Sequence, residues 1–371
     1  MSGKKISFIF CCILLLTKQV SIAQTNTEKV NKLLHEEMIA EQIPGLQLVV
    51  IKDNKIVLSE ALGIANVQFS VPVTKGTTFS INSIAKVFTG TAIMQLVEEG
   101  MIDIEKPVAD YLDDLPESWQ AVTIKQLLGH SSGLPDIEDE ATGGLVGNKG
   151  EVTAWKTVQT MPMQFAPGEQ FSYNATNYLL LQKIIEKYGK LPFEQYIATY
   201  QLNPVEMTKT TFGNSYEVEK DKAPTYCYYY LDRELGDYVK GDQLLEVYEN
   251  FPEMMRADAG MFSTAEELAH WIIALQNGKL LKNKSSLKTM WEPVKLNNGE
   301  MDGFGDILNG YALGWPVVMR SEHPAVAPIG GGRAAFLIYP EDNLAIILLT
   351  NLSGCSPELI IDQIANIYFT K

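Results

Sequence analysis

Thr78-Phe79-Ser80-Ile81-Asn82-Ser83-Ile84-Ala85-Lys86 joins an extended segment to a long apolar helix, and the rest of the chain is best placed relative to it. After Lys86 come Val87, Phe88, Ile93, Leu96 and Val97 at helical spacing, and Gly100 ends the pattern. Ser83 is thereby set at a helix N-terminus, where free N–H groups and the dipole favour developing negative charge. Lys86, three residues on, shares its face and can reach the hydroxyl. The spacing alone is not specific. Ser-x-x-Lys also occurs at Ser2–Lys5 and at Ser285–Lys288, and on this segment by itself a helix start with a solvated lysine reads equally well.

The first residues read as a secretory leader. Lys4 and Lys5 precede an apolar run over residues 6–16, and Ser21-Ile22-Ala23 offers small residues for cleavage before Gln24. That run is too short for a permanent membrane anchor. The expected location is therefore periplasmic or secreted, in a bacterium. Removing residues 1–23 takes away Lys4, Lys5 and Lys18 and no acid, so the formal charge moves from −15 to −18. Such acidity, with no basic stripe, excludes nucleic acid as a partner. Only Cys227 and Cys355 remain after cleavage, enough for one disulfide but not for a disulfide framework. About 350 residues suffice for a large core.

Residues 27–41 carry a helical pattern closed by Pro44-Gly45. Strands are expected at 46–51 and 56–61, joined as a hairpin by Asp53-Asn54. Residues 83–212 read as mostly helical, and 215–256 as polar, tyrosine-rich strands or loops. Thr264 is an expected N-cap, with Glu267 completing a capping box. Strands at 334–339 and 344–350 flank a Pro-Glu-Asp-Asn turn, and a helix starts at Pro357. β elements thus sit at both ends around a helical middle.

Other constellations are weaker. Gly129-His130-Ser131-Ser132-Gly133 fits the G-x-S-x-G elbow, which needs a strand before the serine and a helix after it. Helical spacing precedes it here and Leu134-Pro135 follows, so Ser131 is a minor alternative and His130 a structural turn residue. The four histidines, His35, His130, His270 and His323, are isolated, and no cysteine pair has ligand spacing. No glycine-rich phosphate loop follows a strand. No metal or cofactor is expected. Tyr173, between Pro167-Gly168-Glu169 and a helical pattern from Leu179, is either a packed aromatic or a proton shuttle.

Taken in order, these pieces resemble the serine β-lactamase superfamily in its class C, DD-peptidase and esterase branch. The resemblance rests on residues 78–86, on Leu96-Val97-Glu98-Glu99-Gly100, and on residues 124–135. It continues through residues 167–178, Ala259-Gly260-Met261-Phe262 with the residues up to Leu268, and Tyr311-Ala312-Leu313-Gly314-Trp315. It covers nearly all of the chain after the leader. It implies an α/β (α+β) fold of the β-lactamase/DD-peptidase type, an antiparallel sheet flanked by helices plus an inserted, mainly helical lobe. One domain would span 24–371, with the sheet lobe from about 24–82 and 258–371 and the helical lobe about 83–257. Ser83 would lie in the cleft between lobes and attack the substrate carbonyl. Lys86 would be its base, and Tyr173 would relay the proton to the leaving group. The Ser83 and Gly331 N–H groups would form the oxyanion hole. Asn174, Ala175, Pro328 and Gly330 would meet the substrate, which is a small ester, a β-lactam or a D-amino-acid peptide.

Two departures qualify that picture. The family's Tyr-x-Asn reads Tyr173-Asn174-Ala175, and its third motif, Lys- or His-x-Gly, reads Pro328-Ile329-Gly330. Proline has no hydrogen to donate and no charge for a substrate carboxylate. His323 lies five residues earlier, and Arg333 three residues after Gly330. Backbone oxyanion donors, each worth roughly 3 kcal/mol, survive such changes. General acid–base help of about 10²- to 10⁴-fold depends on what remains. The expectation is an exported serine hydrolase, esterase-like in preference, acting on small esters or peptidoglycan-type amides. The alternative is a catalytically impaired module that binds ligand without turnover.

Overall fold

A computed structural model of the protein describes residues 25–139, 143–232 and 236–369, and the predicted leader lies outside them. Gly45–Lys52 and Lys55–Asn66 form the hairpin signalled by Asp53-Asn54. Both turn residues take positive φ, 51° and 60°, as a tight hairpin turn requires. On its other side Gly45–Lys52 pairs with Leu344–Thr350, Val49 opposite Ile347, which joins the two ends of the chain. Ala334–Tyr339 follows across the turn at 340–343. The sheet continues through Ala325–Val326, Pro316–Val318 and Gly310–Tyr311, and Val71–Pro72 lies at the opposite edge. Every pairing in it is antiparallel.

The central strands are mostly apolar because both faces of the sheet are covered. Leu344, Ile346 and Leu348 pack with Val30 and Leu34 of the 25–40 helix and with Ile360, Ile361 and Ile364 of Pro357–Tyr368. Ala345, Ile347 and Leu349 point the other way, into a cluster with Phe88, Leu268 and Trp271. The period-two alternation of a strand is present, but both sets of side chains are hydrophobic. Each large aliphatic side chain so buried contributes about 1.5–3 kcal/mol.

Ala85–Glu98 runs through that second cluster and packs beside Ala175–Gly189. It is buried almost all round, and its threonine hydroxyls are satisfied. The Thr89 hydroxyl donates to the Ala257 carbonyl at 2.8 Å, and that of Thr91 to the Val87 carbonyl. Gly100, at φ 72°, ends the helix as its position suggested. Ile124–Leu128, Glu151–Val158 and Phe193–Ile197 complete the helical middle. The polar, tyrosine-rich residues 215–256 contain a strand pair, Tyr226–Asp232 with Asp237–Glu246.

One local expectation changes. Thr264 does accept the Glu267 N–H at 3.1 Å, but the capping box is only half formed. The Glu267 carboxylate is drawn instead to the Lys209 N–H at 2.8 Å and the Thr210 hydroxyl at 2.6 Å. Cys227 and Cys355 are both free thiols, with Cys355 buried against Thr350. Among the described residues, no helix is long and apolar enough to cross a membrane.

Candidate active site

Ser83 sits in a single 3₁₀ turn, Asn82–Ile84, that feeds directly into Ala85–Glu98. It is thus one turn ahead of the α-helix rather than its first residue. Lys86 is only 1% exposed, which rules out a solvated lysine. Its Nζ donates to Ser83 Oγ at 3.3 Å and to the Asp258 carbonyl at 3.2 Å, and it pairs with Asp258 Oδ1 at 2.6 Å. A cation this buried persists only with a partner that offsets its lost hydration. Asp258 is that partner, delivered by the 3₁₀ turn Glu253–Met255 and the loop leading into Met261–Ser263.

Tyr173 closes the group. It precedes Ala175–Gly189, and its ring lies under Lys86 Nζ, 4.4 Å from the centroid. It lines the same two cavities as Ser83. Burial, then the negative charge of Asp258, pushes the phenol well above its usual range, so it is a neutral donor and acceptor. Its outer edge stays open, with 36% of the residue exposed. Tyr173 is steered from behind by His130, whose ring lies 4.4 Å away. His130 is fully buried at φ 53°, and its Nδ1 accepts the Asn174 N–H at 3.0 Å. Burial, reinforced by Lys86, holds the imidazole well below its ordinary pKa, so it is neutral and structural.

Ser131 is not brought to this place. A helix, Ile124–Leu128, precedes it, the serine is 1% exposed, and it lines no cavity containing Ser83. Asn174 and Ala175, expected at the substrate, line neither cavity. Asn174 caps the Ala175–Gly189 helix, accepting the Asn177 N–H, and its amide donates to the Leu134 carbonyl at 2.8 Å. Ala175 is buried behind it.

The short strand Ile329–Gly330 approaches from the sheet. Gly330 packs so tightly on Ile81 that a Cβ would overlap the Ile81 carbonyl. Gly331, at φ 56°, then turns beside Ser83. Pro328 does line the site, but neither candidate replacement for the absent cation faces it. His323 is committed to Asp342 at 2.9 Å and stacks on Phe369. The Arg333 guanidinium is buried, donating to Glu249 at 2.7 Å and to Ser80 at 3.1 Å.

Two cavities meet at Ser83 and Tyr173. The larger, about 980 Å³, is lined by the carboxylates of Glu138, Glu151, Glu217, Glu249, Glu253 and Asp258, with Arg256 the one guanidinium among the described lining residues. The smaller, about 140 Å³, is walled by Phe304, Tyr311, Pro316, Pro328 and Ile329, with Gly331 at its rim. Sequence reasoning missed Asp258, Glu138 and Phe304. Asp258 stood beside the 259–262 landmark, and Phe304 stood alone between Gly303 and Gly305, both weak signals. Nothing in the sequence singled out Glu138.

A family model described as Beta-lactamase matches residues 30–366. Protein flp of Staphylococcus aureus (strain N315) is 27% identical over 341 residues, covering 90% of this chain. The chain spans 64% of the length of that relative. The structure of the octameric penicillin-binding protein homologue from Pyrococcus abyssi superposes with a TM-score of 0.74 at 29% identity, covering 90% of this chain and 75% of that one. The D-amino acid amidase from Ochrobactrum anthropi SV3, at 21% identity, shares the fold with a TM-score of 0.76, over 92% of this chain and 98% of that one.

Proposed function

The chain belongs to the beta-lactamase family, and from that premise we propose that it is an exported serine hydrolase working through a Ser83 acyl-enzyme. The observation that carries the proposal is the convergence of Lys86 Nζ on Ser83 Oγ, Asp258 and the face of Tyr173. Ser83 Oγ attacks the carbonyl while its proton moves to Lys86. The 2.6 Å contact lets Lys86 pass a proton on to the Asp258 carboxylate as it accepts that one, so no net charge is created in a buried site. Tyr173, neutral and beside Ser83 at both cavities, gives its phenol proton to the leaving group and recovers one from the serine–lysine pair. The N–H groups of Ser83 and Gly331, both at the small cavity, receive the oxyanion.

The substrates proposed are small esters in preference to penicillins or D-amino-acid peptides. Pro328 supplies no charge for a carboxylate, and His323 and Arg333 are engaged elsewhere. The same residue favours one competing reading, a cleft that binds ligand without turning it over. Release of p-nitrophenol from p-nitrophenyl acetate, wild type beside Ser83→Ala, separates the two. Turnover lost with Ser83→Ala supports the hydrolase. Equal background rates in both, for the ester and for a penicillin, would leave the binding module.

A further inference from the structure

The two cavities divide whatever Ser83 attacks. A carbonyl between the Ser83 and Gly331 N–H groups has two substituents, and the walls around it differ on the two sides. On one side stand Phe304, Tyr311, Pro316, Pro328 and Ile329, without a charged side chain. On the other stands the acidic cavity, in which Asp258 is matched by Lys86 and Glu249 by Arg333. Glu138, Glu151, Glu217 and Glu253 have no Lys or Arg nitrogen at ion-pair distance among the described residues.

Phe304 is what limits the smaller side. Its ring lies 5.1 Å from Tyr173 and 5.7 Å from Phe171, edge-on to the latter, and 43% of the residue remains exposed. It therefore stands as an outer wall of the pocket rather than as part of the core. A dry cavity of about 150 Å³ accepts a benzene ring, and this one measures about 140 Å³.

We propose that this pocket receives one uncharged, apolar substituent no larger than a small ring or a four-carbon chain, that Phe304 sets that limit, and that anionic groups are excluded from both sides. The inference rests on the Ser83 hydrolase reading and names its substrate class. A hydrophobic pocket distinguishes one methylene by about 1–3 kcal/mol, or 10- to 200-fold. The cutoff should accordingly be steep. A carboxylate placed in the small pocket would lose its water without gaining a cation, and in the larger cavity it would meet like charge.

The test uses the chain from residue 24 onward and two ester series. One lengthens the acyl chain from two to eight carbons with nitrophenol as the constant alcohol. The other lengthens the alcohol with acetate as the constant acyl group. The expected result is a sharp fall in kcat/KM beyond four carbons in one series. In Phe304→Ala the long-to-short ratio in that series should rise at least tenfold, with Phe304→Leu between. Matching carboxylate-bearing esters should be the poorest substrates in both. Identical chain-length profiles for wild type and Phe304→Ala, with unchanged melting temperatures, would overturn the proposal, as would preference for the carboxylates. Calorimetric binding of the same chains as methyl ketones to Ser83→Ala measures the size limit without turnover. An inactive Ser83 with an intact size limit thus reads differently from a pocket that sets no limit.

Discussion

Lys86 and Asp258, 172 residues apart in the sequence, meet at 2.6 Å beneath Ser83, with side chains only 2% and 9% exposed. The pair does two things at once. It pins the Ala85–Glu98 helix to the loop before Met261–Ser263, and it holds the amine against the serine hydroxyl. Removing one partner strands a buried charge, which typically costs about 3–5 kcal/mol, whereas removing both does not. Lys86→Met and Asp258→Asn should each lower unfolding free energy by about that amount, measured by urea denaturation. The double variant should recover most of it. Activity should fall about 10²- to 10⁴-fold in Lys86→Met and stay low in the double variant. Recovery of kcat in the double variant would contradict a role for Lys86 in proton transfer.

Tyr173→Phe removes the phenol and leaves the ring between Lys86 and His130. Because the residue is partly open, the melting temperature should change little. kcat should fall about 10²- to 10⁴-fold, most for substrates with basic leaving groups, which need the proton. Nitrophenyl esters should suffer least. An equal loss for all leaving groups would point to a role in positioning alone.

Gly330 is required by contact. Gly330→Ala places a methyl group against the Ile81 carbonyl and 3.3 Å from the Ser83 nitrogen. Backbone cannot swing aside as a side chain does, so the strand must retreat from the serine turn. Overpacking of this kind costs about 1–3 kcal/mol. The expected signature is a loss of kcat larger than that stability change explains, because the Gly331 N–H moves away from the oxyanion position. Unimpaired kcat would remove Gly331 from the proposed oxyanion hole.

Much of this was legible in the sequence because it depends on local pattern. The hairpin at 53–54, the strands at 334–339 and 344–350, and the helix after Ser83 are each set by turn residues and apolar periodicity nearby. Contacts across the fold were not legible. Glu267 fits a capping box by spacing, yet the Lys209 N–H and Thr210 hydroxyl, brought by a distant loop, compete for it and win. Asn174 looked like a displaced substrate ligand, but a helix N-terminus and the Leu134 carbonyl claim its side chain. Asp258 acquires meaning only when the chain folds it beneath Lys86.

Glu138 gives the site a pH dependence. Burial first, then the charge of Asp258, pushes its carboxyl up to about 7; Asp136 adds to the rise and Lys86 opposes it. In the unfolded chain the same group titrates near its ordinary value of 4.5. The native state therefore binds more protons between about 4.5 and 7, and stability falls as pH rises through that window. Glu138→Gln should flatten this part of the profile of melting temperature against pH, only modestly, because the residue lies on the cavity wall with part of its surface still in solvent even as its neighbours desolvate the carboxyl. In the wild type, kcat/KM for a carboxylate-bearing ester relative to its neutral isostere should also fall as pH passes about 7. A ratio independent of pH would remove Glu138 from the exclusion of anions.

Labelling with an alkyl fluorophosphonate, whose serine adduct does not turn over, decides the assignment of Ser83. The chain from residue 24 is treated with a stoichiometric amount, quenched, and read by intact mass and peptide mapping, beside Ser83→Ala and Ser131→Ala. The expected result is one adduct on Ser83, absent from Ser83→Ala and retained in Ser131→Ala. An adduct on any other serine, or no adduct on the folded wild type, would contradict the acyl-enzyme account.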